Sequence, residues 1–259
     1  MTYKLADFCR RMEELAPLEL ALDWDNVGLQ IGEPQKPIAA VLVALTVTMD
    51  TVQKAVEHGV DLIVAHHPVI FRPMRQIRTD TPEGALISTL LKHDLSVYVA
   101  HTNLDQAERG LNHWLAVEAG LEEQQVLVPA HDSNAGLGRI GRICPMSLGA
   151  YAERLEALWD VQVRVVGDRE RTVTKVAVVG GSGGDFMQHA KAAGADVLVT
   201  GDVSYHDAMD ALGLGLAVVD AGHFSTEQLM VREVAGYLQR TFGKHIRILQ
   251  DTSTNPFSF

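Results

Sequence analysis

The sequence predicts an α/β protein of two similar lobes arising from an internal duplication, with mainly parallel sheets and covering helices. Three observations carry this. Short apolar strands alternate with helices along most of the 259 residues. One strand–helix–strand segment recurs in the second half without a gap. Histidines stand repeatedly where the strands end, and open α/β sheets bind ligands at the carboxyl ends of their strands.

The elements follow in order. Residues 4–16 read as an amphipathic helix with Leu5, Phe8, Met12 and Leu15 on one face, ended by Pro17. Asp23-Trp24-Asp25-Asn26-Val27-Gly28 is acidic and turn-rich and leads into a short alternating strand; turn chemistry accounts for Asp23, Asp25 and Asn26, with the lining of a site as the alternative. Residues 39–45 are a strand, residues 50–58 a helix, and Gly59 its stop. Leu62-Ile63-Val64-Ala65 is a fully apolar run, as strands buried on both faces are, and it delivers His66-His67 before Pro68. A polar segment with Pro73 and Pro82 leads to a helix over 84–93 and a strand over 96–100, then His101-Thr102-Asn103-Leu104-Asp105 and a helix to Ala119.

Residues 39–67, moved forward by 135 positions, fall on 174–202. Val41 then meets Val176, Asp50 meets Asp185, Gly59 meets Gly194, Asp61 meets Asp196 and Val64 meets Val199. Matches in one register argue for a duplicated unit. Further on the offset becomes 122, and His101-x-x-x-Asp105 falls on His223-x-x-x-Glu227, each pair after an apolar strand. Polar residues, Pro129 and glycines interrupt the pattern over 124–141, so the lobes are expected at 1–127 and 128–259, with the C-terminal helix packing back on the first.

The net charge of −11, with no run of Lys and Arg, counts against a nucleic-acid partner. No apolar run approaches the ~20 residues of a membrane span, and the start lacks a signal-peptide core. Cys9 and Cys144 form neither a disulfide framework nor a metal cluster. A cytoplasmic protein without membrane association is the expectation.

A lone histidine is ordinarily a packing or surface residue, whereas two in tandem at a strand end point toward a metal. Four short elements carry such residues: His66-His67, His101…Asp105, Gly201-Asp202…His206 and His223…Glu227. Imidazoles mixed with carboxylates suit zinc, manganese, iron, cobalt or nickel. Two ions about 3.5–4 Å apart need a bridge, which Glu227 or Asp105 can supply, and would acidify a shared water.

Ala65-His66-His67-Pro68, His101-Thr102-Asn103-Leu104-Asp105, Gly180-Gly181-Ser182-Gly183 and Ala221-Gly222-His223-Phe224-Ser225-Thr226-Glu227 together resemble the NGG-interacting-factor-three-like family. Its members are also called dinuclear metal centre hexameric proteins or GTP cyclohydrolase I type 2 homologues. The resemblance extends from Asp23 to Glu227. It implies two α/β lobes with a dinuclear site between them, two divalent ions per subunit, and a toroidal homohexamer. It carries metal ligation onto His66, His67, Asp105, His223 and Glu227, with Glu227 as bridge. The chain is too short for the extra domain some members insert between the lobes.

The expected function is that of a divalent-metal-dependent hydrolase. By resemblance its substrate is a nucleotide-like small molecule, with GTP cyclohydrolase-like ring hydrolysis as the reaction. Alternatives are a phosphatase or nuclease on modified nucleotides, or a metal-binding hexameric scaffold without turnover. His206 and His101 are the candidate catalytic residues for proton transfer; a helix-start loop and a strand cap are their plainer roles. Gly180-Gly181-Ser182-Gly183-Gly184 matches neither a Walker loop nor the dinucleotide fingerprint and reads as a tight strand-to-helix turn. Arg139 reads as an exposed strand arginine, with contact to an anionic substrate as the alternative. His58, His93, His113, His131, His189 and His245 are read as surface residues.

Overall fold

The structure, a computed structural model, describes residues 3–130 and 134–257. It divides into two compact units, Met1–Leu104 with Met230–Thr254, and Asp105–Leu229 with Asn255–Phe259. The boundary expected at 127/128 falls inside the second unit, within the strand Glu122–Pro129. Among the described residues no helix is long and apolar enough to cross a membrane. His131 lies outside the described residues.

The first unit is built on a five-stranded sheet in the order Arg247–Gln250, Ala40–Ala44, Leu62–Ala65, Ser96–Val99, Gly28–Ile31. The first four strands run parallel and the last antiparallel. Every residue of Ala40–Ala44, Leu62–Ala65 and Ser96–Val99 is buried, which is why these segments read as unbroken apolar runs. Thr48 caps the helix Met49–Glu57 by accepting from the Thr51 amide. Thr81 does the same for Pro82–Lys92, where Pro82 opens the helix without a wasted amide. The C-terminal segment completes this unit: Phe242 stacks on Phe8 at 4.1 Å, and the Tyr237 hydroxyl donates to the Arg11 carbonyl.

The second unit carries a six-stranded sheet in the order Glu122–Pro129, Gly136–Ser147, Thr172–Ser182, Val197–Gly201, Ala217–Asp220, Arg164–Val166. Only the two pairings within Thr172–Ser182, Val197–Gly201 and Ala217–Asp220 are parallel; the other three are antiparallel. Both sheets are therefore mixed; the first is mainly parallel, as expected, whereas the second is mainly antiparallel, which corrects the expectation there. The physical reason lies in residues 124–141, which the sequence offers as an interruption. Across them runs an antiparallel strand pair, Glu122–Pro129 with Gly136–Ser147, which sets Val126 opposite Arg139 and Pro129 opposite Gly136. Its outer strand has most residues exposed or half-buried, so no apolar run announces it.

Four strands of each unit share one arrangement. Val41 pairs with Leu62, and Val176, 135 positions on, pairs with Val197; the next two pairs keep the same correspondence. An antiparallel strand then flanks the last parallel strand in both sheets. Gly59 and Gly194 both take positive φ, 57° and 79°, where the helix turns back into the sheet. Two backbone amides, Ala39 and Ala40, donate to the Asp61 carboxylate, and at the matching positions Thr174 and Lys175 donate to Asp196. The histidine-bearing ends differ by one residue. Ala100 and Ala221 occupy matching places, each donating its amide to the adjacent strand, but Gly222 at φ 81° precedes His223 whereas His101 follows Ala100 directly. The offset falls from 135 to 121 because the first unit has fourteen more residues between the strands Leu62–Ala65 and Ser96–Val99 than the second has between Val197–Gly201 and Ala217–Asp220, and Gly222 then brings it to 122 at the histidines.

Burial pushes the Asp196 pKa up, but amides of Lys175 and Thr174, the Thr174 hydroxyl and nearby Arg171 outweigh it and hold the carboxyl below its ordinary 3.8. Its stabilisation is thus fully present above the unfolded carboxylate range and lost as pH falls through the lowered folded value. Asp196→Ala is expected to cost about 2 kcal/mol at neutral pH, because two strand-end amides lose their acceptor. Urea unfolding checks this: the midpoint drops at pH 7, and the two proteins converge in acid.

Candidate metal centre

In the first unit the strand Leu62–Ala65 ends by handing the amides of His66 and His67 to the carbonyl of Leu45. The next parallel strand, Ser96–Val99, brings His101 alongside. Ring centroids of His66 lie 5.3 Å from His67 and 5.1 Å from His101, and one nitrogen from each of the three imidazoles lies within 4.8 Å of the others. His66 is completely buried.

What fixes these rings is on their Nδ1 side. His66 Nδ1 is 2.7 Å from the Ala100 carbonyl oxygen, His67 Nδ1 is 2.7 Å from Thr46 Oγ1, and His101 Nδ1 is 2.9 Å from Asp25 Oδ1. A carbonyl or carboxylate oxygen can only accept, so His66 and His101 carry a proton on Nδ1, which leaves Nε2 as the nitrogen able to ligate a metal. Asp25 is itself held. The Thr102 amide and hydroxyl both donate to it, at 3.0 and 2.6 Å, and its side chain is fully buried. Burial pushes the Asp25 carboxyl up, but hydrogen bonds from His101 and Thr102 prevail and bring it down to about 2.

The second unit repeats the device. His223 opens the short helix His223–Glu227, and its Nδ1 donates to Asp202 Oδ2 at 2.7 Å. Its Nε2 lies 2.9 Å from Glu227 Oε2, one helical turn on, and Glu227 is only 4% exposed. The hydrogen bond to Glu227, opposed by burial and assisted by Asp202, pushes the His223 pKa up to about 9. Asp202 takes φ 55°, a left-handed conformation that aspartate tolerates better than most residues.

The glycine-rich turn is shaped around this pair. The Gly181 amide donates to Thr226 Oγ1, the Gly181 carbonyl accepts from Thr200 Oγ1, and the Gly180 amide donates to Asn112 Oδ1. Those two amides serve the fold and do not cradle an anion. A methyl group on Gly181, at φ 66°, would stand 2.3 Å from Glu227 Oε1. Gly181→Ala is therefore expected to displace the carboxylate and weaken metal binding at His223 and Glu227 roughly tenfold to a hundredfold. Calorimetric titration with zinc reads this directly.

The remaining expected residues are placed as follows. Asp105 is half-buried on the short helix Thr102–Gln106, and its carbonyl accepts from Asn112 Nδ2. His206 is exposed on the first turn of the helix Tyr205–Leu214, edge-on to the Tyr205 ring, and among the described residues it makes no hydrogen bond to His223 or Glu227. Ser204, in a capping box with Asp207, starts that helix. Arg139 is neither exposed nor aimed at a substrate. It is 3% exposed and donates to the carbonyls of Gly136, Gly138, Ala107 and Glu108, while burial lowers its pKa to about 10. His58, His93, His189 and His245 are exposed, but His113 is half-buried and 3.0 Å from Gln124 Oε1.

Sequence reasoning did not pair Asp25 with His101, and it placed Asp202 in a strand-end element with His206 without pairing it with His223. Asp25 precedes His101 by 76 positions, and a turn-forming Asp beside Trp24 carries no mark of that partner. Asp202 was visible only as part of a strand-end motif.

The donor chemistry fits a divalent ion. Three imidazoles at one strand edge suit zinc, iron, nickel or copper, and a histidine–carboxylate pair extends the range to manganese. A histidine that donates Nδ1–H to an oxygen acceptor is the usual arrangement of a metal ligand. Fold and donors thus define a mixed α/β protein with histidine-rich clusters that could bind metal ions. The chain belongs to the Duf34/NIF3 (NGG1p interacting factor 3) family, which matches residues 3–256. A Streptococcus pneumoniae relative described as a GTP cyclohydrolase 1 type 2 homolog is 40% identical over 254 residues, 95% of each chain. One from Clostridium acetobutylicum with the same description is 33% identical, covering 100% of both. The crystal structure of a Bacillus cereus protein related to NIF3 matches with a TM-score of 0.94 at 30% identity, over 100% of this chain and 99% of that one.

Proposed function

We propose that this chain is a divalent-metal-dependent hydrolase acting on a nucleotide-type substrate, with His66, His67, Asp105, His223 and Glu227 as ligands of two ions. The observation that carries the reading is the shared support of the imidazoles. His66, His101 and His223 each donate Nδ1–H to a carbonyl or carboxylate oxygen, and His67 Nδ1 meets the Thr46 hydroxyl. Rings held this way present Nε2 as the donor with its orientation already set. The GTP cyclohydrolase 1 type 2 description borne by the relatives supplies the substrate class.

Bound ions would supply Lewis acidity and water activation at neutral pH. The chain's own residues do the rest. Asp25 and Asp202 fix the ring orientations of His101 and His223 through Nδ1, and Glu227 offers two oxygens, as a bridging ligand requires. His101, seated beside His66 and His67, serves as ligand or proton carrier, and His206 is the exposed candidate for protonating a leaving group. A homohexamer is part of the same reading, and light scattering of the purified chain tests it.

The function is tested by incubating metal-reconstituted protein with GTP and following products by mass spectrometry. Hydrolysis of the guanine ring with release of formate is expected. If the nucleotide survives intact with every one of zinc, manganese, iron, cobalt and nickel, the hydrolase reading is contradicted in its GTP form.

A further inference from the structure

Beside the three imidazoles of the first unit, two large aromatic side chains stand in the open. Trp24 is 58% exposed and Phe71 44%, although burying either would be favourable. They are not strays. Their rings meet edge to face at 5.8 Å, and the Trp24 ring in turn lies 6.1 Å from that of His101. The pairing is also fixed from beneath. The Ile70 amide donates to Gln30 Oε1 and the Ile70 carbonyl accepts from Gln30 Nε2 and Asn26 Nδ2, so the backbone that bears Phe71 is tied to the segment that bears Trp24.

Phe71 also walls a cavity of about 440 Å3, shared with Arg72, Pro73, Met74, Arg75 and Glu83. That volume is within the roughly 300–1,000 Å3 of small-molecule sites. Among the described residues Arg72 and Arg75 form no ion pair, unlike Arg78, which is matched with Asp80. Two guanidiniums against one carboxylate make this rim locally positive on a chain whose net charge is −11. Two exposed rings set edge to face make an aromatic corner, in which a flat base stacks on one ring and meets the other edge-on, and guanidiniums bind phosphate through paired N–H donors.

We propose that Trp24 and Phe71 form a stacking platform for the base of the substrate, while Arg72 and Arg75 receive its phosphate. The inference rests on the nucleotide-type substrate of the proposed function and assigns the residues of this chain that recognise it. The platform borders His101, so a stacked base lies next to the imidazole cluster, and the phosphate enters the arginine-lined cavity that Phe71 walls.

The test uses the metal-free full chain, so that recognition is read apart from turnover. Calorimetric titrations with guanosine 5′-monophosphate, guanosine and inorganic phosphate are compared for the wild type and for Trp24→Ala, Phe71→Ala and the double variant Arg72→Ala/Arg75→Ala, each checked for folding by circular dichroism. The nucleotide is expected to bind more tightly than guanosine or phosphate alone. Each aromatic variant should weaken nucleotide and guanosine about tenfold, the scale of one lost base stack, and leave phosphate unchanged. The arginine variant should weaken nucleotide and phosphate and spare guanosine. Absence of saturable nucleotide binding, or nucleotide affinity unchanged in all three variants, overturns the platform. The two readings separate cleanly. This pattern without turnover by metal-loaded protein sinks the hydrolase and keeps the platform, whereas turnover with an unaltered KM in every variant does the reverse.

Discussion

Glu227→Gln is expected to lower divalent-metal affinity at the His223 set by on the order of a hundredfold or more, and turnover with it. The carboxylate is buried, sits 2.9 Å from His223 Nε2 and is framed by the glycine turn. Gln conserves the volume but surrenders the charge and one of the two lone-pair-bearing oxygens. The surrounding backbone is tied independently through Thr226, Thr200 and Asn112, so thermal unfolding should change little. Metal titration and nucleotide turnover together read the outcome. A variant that binds metal like the wild type would remove Glu227 from the ligand set. A variant that cannot fold would instead give the residue a structural role, in line with a scaffold.

Asp25→Ala should act on both stability and metal. Asp25 accepts from the His101 ring, the Thr102 amide and the Thr102 hydroxyl, with its own side chain out of reach of solvent. Removing it strands three donors and costs about 3 kcal/mol. With the ring no longer held in one tautomer, metal affinity at His66, His67 and His101 should fall roughly tenfold to a hundredfold. Asp25→Asn separates the two effects. Its amide oxygen still accepts from Thr102, so urea unfolding should show the smaller loss, while the missing charge still weakens the metal. Equal metal affinity in wild type and both variants would mean that His101 takes no part.

Much of the fold was legible because a strand buried on both faces must be apolar throughout, and Leu62–Ala65 and Val197–Gly201 are nearly so. The repeat was legible for a related reason. Gly59 and Gly194 at positive φ, and Asp61 and Asp196 accepting strand-end amides, are chemical requirements of one arrangement used twice. The antiparallel strands Glu122–Pro129 and Gly136–Ser147 escaped because an exposed edge strand needs no apolar run, and its polar residues imitate a linker. The histidines were visible as pairs at strand ends. Their supports were not, since Asp25, Thr46 and Asp202 find their partners only once distant segments are side by side. Arg139 was misjudged for a similar reason, as nothing in a Gly-Arg-Ile sequence says that four carbonyls converge on the guanidinium.

The most direct measurement is the divalent-metal stoichiometry of the full chain, by elemental analysis after reconstitution with zinc or manganese and removal of excess ion. About two equivalents per chain are expected for the wild type, consistent with two supported donor sets, and fewer for Glu227→Gln and Asp25→Ala. A wild-type chain that retains no divalent ion, or one whose metal content is indifferent to both substitutions, would contradict the metal-centred account.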